Sequence, residues 1–136
     1  MESSNNGNRK RKRRMTTWNE EAYYAIGQIE SMIYEINHDT KPVAHKNVHK
    51  IVIYSILIHL KKYLEDQKIE CYISRGDGKQ YHLYFYKYSH LLKIIKQHEA
   101  MASMLSHMKD KTIYHWFSGK MFGYAESMIG EFINKQ

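Results

Sequence analysis

The stretch CYISRGDGKQYHLYFYKY, residues 71–88, decides how this chain folds. It holds an Arg-Gly-Asp tripeptide, an Asp-x-Lys pair and a run of aromatic and imidazole rings, and each suggests a different role. Strand register separates them. Taking Gly76, Asp77 and Gly78 as a three-residue hairpin loop, with Gly78 left-handed, pairs Ile73 with Tyr81, Cys71 with Leu83 and Ile69 with Phe85. That gathers the apolar side chains on one face. The other face receives Ser74 opposite Gln80, Tyr72 opposite His82 and Glu70 opposite Tyr84, with Tyr86 next along. A two-residue Asp77-Gly78 turn would set Ile73 against His82 and mix the faces, so the sequence predicts the three-residue loop.

This placement disposes of two readings. Gly-Asp-Gly is what the turn demands, so the Arg-Gly-Asp tripeptide needs no adhesion role in a sequence that opens without an export segment. Asp77 and Lys79 fall in a turn, whereas the metal-holding carboxylate and lysine of a nuclease belong inside a strand facing a cleft. The ring-rich face remains. Tyr72, His82, Tyr84 and Tyr86 form either a platform on which unpaired bases stack or a layer covered by a helix, with hydroxyls reaching partners at its rim. A two-stranded ribbon needs a packed face, and a small α+β domain packs both, which favours the covered reading.

Outside the hairpin the pattern is helical. Thr17 followed by Glu20 fits a capping box, and Trp18, Ala22, Ala25, Ile29, Ile33 and Ile36 recur at spacings of three and four, predicting a first helix over about residues 18–37. NHDTKP ends it. Pro42 then suits the first turn of a second helix, in which Val48, Ile51, Ile53, Ile56, Leu60 and Leu64 spread round most of the surface and mark it as central. Leu91, Ile95, His98, Leu105 and Met108 fall on a third helix. A short segment near 112–118 and a final helix over about 124–133 follow, punctuated by Gly119 and Gly123. The expected fold class is α+β: two N-terminal helices, one β-hairpin and two to three C-terminal helices, preceded by a basic disordered arm. The 136 residues suit one domain, 15–136, after an arm over 1–14.

Charge is concentrated in that arm. Arg9, Lys10, Arg11, Lys12, Arg13 and Arg14 stand against Glu2, so 14 residues hold five of the seven net positive charges. A block of like charge repels itself and contacts phosphates without reading sequence. The longest apolar run, residues 51–60, is far short of the roughly 20 residues that span a bilayer, so no membrane role is expected. The chain reads as cytoplasmic in a bacterial host, or nuclear in a eukaryotic setting, where RKRKRR fits an import signal. The lone Cys71 alternates into the apolar face and reads as a small buried side chain.

Catalytic chemistry finds little footing. His45 and His49 stand four apart in HKNVH, a spacing that brings both to one metal on a helix, but Lys46 occupies the place of the glutamate a zinc protease requires. With no cysteine cluster, phosphate loop or nucleophile elbow in view, neither a metal, a cofactor nor catalysis is expected. His107, His115 and Trp116 are candidates to line a pocket, and the eight methionines read as core filler or an adaptable surface.

The ending YHWFSGKMFGYAESMIGEFI, through Gly119, Lys120, Gly123 and Tyr124, resembles the C-termini of small accessory proteins of phages and mobile elements of low-GC Gram-positive bacteria. The resemblance implies a regulator, or an anti-CRISPR-like inhibitor, of host nucleic-acid machinery. A DNA mimic would be acidic and this chain is basic, so mimicry is disfavoured. The expectation is a non-catalytic nucleic-acid-binding, in particular DNA-binding, accessory or regulatory protein. Arg9 to Arg14 would meet phosphates, joined by Arg75, Lys79, Tyr72, His82, Tyr84 and Tyr86. The alternative is an inhibitor or adaptor that docks on a nucleic-acid-bound host protein.

Overall fold

Helices cover both faces of a three-stranded sheet. The computed structural model describes residues 2–135, with side chains from Thr17 onward. In chain order, α1 (Glu2–Asn37), β1 (Val43–His49), α2 (Ile53–Gln67), β2 (Glu70–Arg75) and β3 (Gln80–Tyr86) lead into α3 (Leu91–Ser103). A 3-10 turn (Leu105–His107), α4 (Thr112–Met121) and α5 (Glu126–Asn134) complete the chain. The α+β class expected from the sequence is the class found. The basic residues expected in a disordered arm over 1–14 lie instead along the first turns of α1, which begins at Glu2 and not near residue 18, and their side chains are outside those described.

The sheet order is β1-β3-β2, with both outer strands antiparallel to β3. The outer strands therefore run parallel to each other, and α2 is the long crossover that parallel strands require. On one face, Ile29 and Ile33 of α1 and Ile56 and Leu60 of α2 are fully buried against Ala44, Val48, Leu83 and Phe85. Each such aliphatic side chain contributes about 1.5–3 kcal/mol by leaving water. On the other face, Leu91 and Ile95 of α3 and Met121 of α4 close over Val43, Tyr84 and Tyr86. Because both faces are covered, four successive β3 residues, Leu83 to Tyr86, are all buried.

Two further expectations need correction. Residues 43–49 are a strand, not the opening of a second helix, and α2 begins only at Ile53. The hairpin is also displaced. The Gly76 N–H donates to the Gln80 carbonyl at 3.0 Å, so the turn is Asp77, Gly78 and Lys79, and Ile73 pairs with Leu83, Cys71 with Phe85 and Tyr72 with Tyr84. A one-residue shift of the turn moves each cross-strand partner by two, and two residues return a strand to the same face. Ile69, Cys71, Tyr81, Leu83 and Phe85 therefore share the α1/α2 face as expected, although their partners differ.

Gly78 has φ +62°, the left-handed turn conformation expected for it, with open space where a Cβ would stand. Gly78→Val should cost about 1–2 kcal/mol from backbone strain alone, read as a lower melting temperature. A variant that melts with the wild type would show that the turn relaxes freely.

Candidate nucleic-acid interface

The antiparallel ladder brings together basic residues that lie far apart in sequence. His49, the last residue of β1, pairs with Gln80, and the Lys50 N–H donates to the Lys79 carbonyl at 2.8 Å. Arg75 ends β2 on the other side of β3. Lys50, Arg75 and Lys79 thus share one end of the sheet, and all three are exposed. Trp18 of α1 lies against the His49 ring at 4.7 Å between centroids, so the part of α1 that follows residues 9–14 meets the same edge. Among the described residues the ion pairs are Lys41 with Glu35 and Lys120 with Glu126, neither at this end of the sheet. Asp77 in the turn is the acid between Arg75 and Lys79 in sequence.

The expected ring platform is not a platform. Tyr84 and Tyr86 are each only 5% exposed beneath α3 and α4, and leave no ring face on which a base can stack. Burial pushes the Tyr84 hydroxyl up to about 12, with the nearby Glu99 carboxylate adding to it. Burial likewise raises Tyr86, with Glu70 adding. Tyr72 is half-buried, with the Lys96 ammonium 5.6 Å from its ring centroid. His82 is half-buried too, and its Nδ1 lies 2.8 Å from His45 Nε2. Of the residues picked from sequence, Arg75 and Lys79 share the basic edge. Tyr72, His82, Tyr84 and Tyr86 belong to the opposite layer, and the side chains of Arg9, Lys10, Arg11, Lys12, Arg13 and Arg14 lie outside the described residues.

That opposite layer is polar as well as aromatic. His45 stacks near Tyr84 and His82, and its pKa is pushed down to about 4 by burial first and then by the neighbouring imidazoles of His82 and His98. The Ser74 hydroxyl donates to Glu99 at 2.9 Å, tying β2 to α3. His98, 5% exposed and lowered by burial, sits 2.6 Å from the Ser118 hydroxyl through Nε2, while its Nδ1 is buried without a partner. A serine beside a histidine invites a hydrolytic reading, but a serine nucleophile of the elbow type stands on a sharp strand-to-helix turn, and Ser118 lies in the body of α4. Among the described residues no group of three or more histidine, cysteine or carboxylate side chains is placed to hold a metal. His45 and His49 lie on a strand, so the helical spacing that suggested a shared metal does not apply. Burial raises the Cys71 thiol to about 12, which leaves it un-ionised and inert at neutral pH.

Sequence reasoning did not bring Lys50 and His49 to this end of the sheet, because both were read inside a helix. It also passed over Ser118. His115, named as a pocket candidate, does line a groove between α4 and α5. Comparison with protein-family models, curated proteins and solved structures finds no match for this chain. No helix among the described residues is long and apolar enough to cross a membrane.

Proposed function

We propose that the protein binds nucleic acid without catalysing a reaction on it, through the end of the sheet formed by Lys50, Arg75 and Lys79 together with the basic residues 9–14. The observation that carries this reading is the Lys50 to Lys79 backbone bond beside the Trp18–His49 contact, which groups exposed cations at the edge from which α1 leads back to residues 9–14. Lys and Arg side chains that neutralise phosphates release counterions, so affinity falls as salt rises.

Six arm contacts predict a slope of log K against log salt of roughly −4 to −5, and up to three contacts from the sheet end add about −2 to −3. Binding to single- and double-stranded oligonucleotides across a salt series should show the summed slope for the full chain. Deleting residues 1–14 should reduce it to about −2 to −3, and adding Lys50→Glu and Lys79→Glu should abolish binding at physiological salt. Affinity retained by the truncated, charge-reversed chain would sink the proposal.

A second reading, a protein-binding inhibitor or adaptor, rests on a different surface. Tyr23 of α1 and Tyr54 and Ile58 of α2 are 66%, 76% and 74% exposed, with Tyr23 edge-on to His59 at 6.0 Å. Large apolar side chains exposed on α1 and α2 suit a protein partner. Loss of a co-purifying host protein on Tyr54→Ser and Ile58→Ser, with nucleic-acid affinity intact, would favour it.

A further inference from the structure

α5 packs most tightly on α4 where Ile129 meets Gly119, and a groove opens beside that contact. Ile129 is seated over Gly119, where an added Cβ would fall 2.4 Å from the isoleucine side chain. Beside that contact lies a groove of about 600 Å³, within the range of small-molecule sites. Tyr124, Met128 and Phe132, spaced four apart, line one wall, and each is at least half exposed. Tyr114, His115 and Phe122 line the other, with His115 edge-on to Phe132 at 4.9 Å.

The floor is polar. His98 and Ser118 both line the groove and are joined at 2.6 Å. Burial keeps the His98 imidazole neutral, so it carries one ring proton. Its Nδ1 is buried with no partner, and a bare ring lone pair is the cheaper group to leave there than an N–H. The proton therefore sits on Nε2 and is donated to Ser118 Oγ, which leaves the serine hydroxyl hydrogen free to donate into the groove. At the rim Glu131 and Lys135 carry opposite charges.

We propose that this groove binds a flat, uncharged aromatic molecule bearing a hydrogen-bond acceptor, which the Ser118 hydroxyl receives. The ring walls suit offset or edge-on packing of a flat ligand, the balanced rim selects against net charge, and the single donor at the floor fixes its orientation.

The naphthyl ketone prodan, whose emission shifts to the blue in apolar surroundings, tests this on the full chain, with 2-methylnaphthalene as a competitor that lacks the acceptor. Saturable one-to-one prodan binding is expected. Ser118→Ala should weaken prodan about fivefold, the span of one neutral hydrogen bond, and leave competition by 2-methylnaphthalene unchanged. Met128→Glu, at an exposed position where folding is not at stake, should weaken both probes by about tenfold or more by placing a charge in the apolar wall. Absence of saturable binding, or a Ser118→Ala variant that binds prodan as the wild type does, would overturn the proposal. Prodan binding that disappears as the chain dimerises with rising concentration would assign the groove to a second copy and overturn it equally.

Discussion

Gly123→Val is expected to destabilise the fold by about 3 kcal/mol or more and to loosen the C-terminal helices from the body of the protein. Gly123 links α4 to α5 with φ +81°, a conformation that a β-branched residue adopts only under strain. It is also crowded. A Cβ there would fall 2.7 Å from the Thr40 carbonyl oxygen, 3.1 Å from Lys41 Cα and 3.4 Å from the Pro42 ring. The first two are backbone atoms of the α1–β1 connection and cannot swing aside as a side chain can. The same turn closes α4, with the Gly123 N–H on the Lys120 carbonyl and the Tyr124 N–H on the Gly119 carbonyl, so strain at Gly123 reaches the helix end. In a domain of this size the loss corresponds to a melting temperature lower by about 10 °C. Gly27→Ala is the control: Gly27 is exposed on α1 with open space around its Cα, and alanine there should be neutral or stabilising by up to about 1 kcal/mol. If Gly123→Val melted alongside Gly27→Ala, the close approach of the two connections would not hold in solution.

That approach shows how unevenly the fold was written in the sequence. Spacings of three and four located the core stripes of α1 and α3 and, within α2, Ile53, Ile56, Leu60 and Leu64, but α2 is not the central helix expected, because Tyr54 and Ile58 on its other side are exposed. The β1 strand left no such trace. With helices on both sides of the sheet, Val43 and Ala44 are both buried and the alternation that identifies a half-exposed strand disappears. What remained, apolar residues at 43, 44, 48 and 51–53, fits a helix as well as a strand. The clue available was Pro42, which disfavours the helical region for Lys41 and is followed by a β-branched residue. The hairpin faces were legible and its turn was not, because any even displacement of partners preserves the faces. The grouping of Lys50, Arg75 and Lys79 depends on strand order, which no local pattern carries. The pairing of His98 with Ser118 depends on how α3 meets α4, and the only sequence sign of it was a histidine falling in register with the apolar stripe of Leu91 and Ile95.

The same buried histidine layer makes the protein acid-sensitive well above the range in which carboxylates titrate. An unfolded histidine takes up a proton near pH 6.5, whereas His45 in the folded chain does so only at about 4. Between these values the unfolded state binds the extra proton, so stability is complete above pH 6.5, falls as pH is lowered, and levels off below about 4. The loss from His45 amounts to about 2 kcal/mol by pH 5 and about 3 kcal/mol by pH 4. His98, lowered by burial, adds to it with the same sign. The physical cause lies in what surrounds His45. Tyr84 and Phe122 rings exclude water, His82 lies 2.8 Å from its Nε2 and, followed by His98, opposes a positive charge, while the Asn47 hydrogen bond favours it by more than the smaller opposition from Lys46. Protonating both rings of the His45–His82 pair would set donor against donor and break the bond between them. Urea unfolding of wild type and His45→Gln at pH 7 and pH 5 isolates this contribution. The variant will be less stable at pH 7, having lost the His82 contact, but its further loss on going to pH 5 should be smaller than that of the wild type by about 2 kcal/mol. An equal loss in the two proteins would mean that His45 takes up its proton without penalty, and that the sheet face beneath α3 and α4 is open to water.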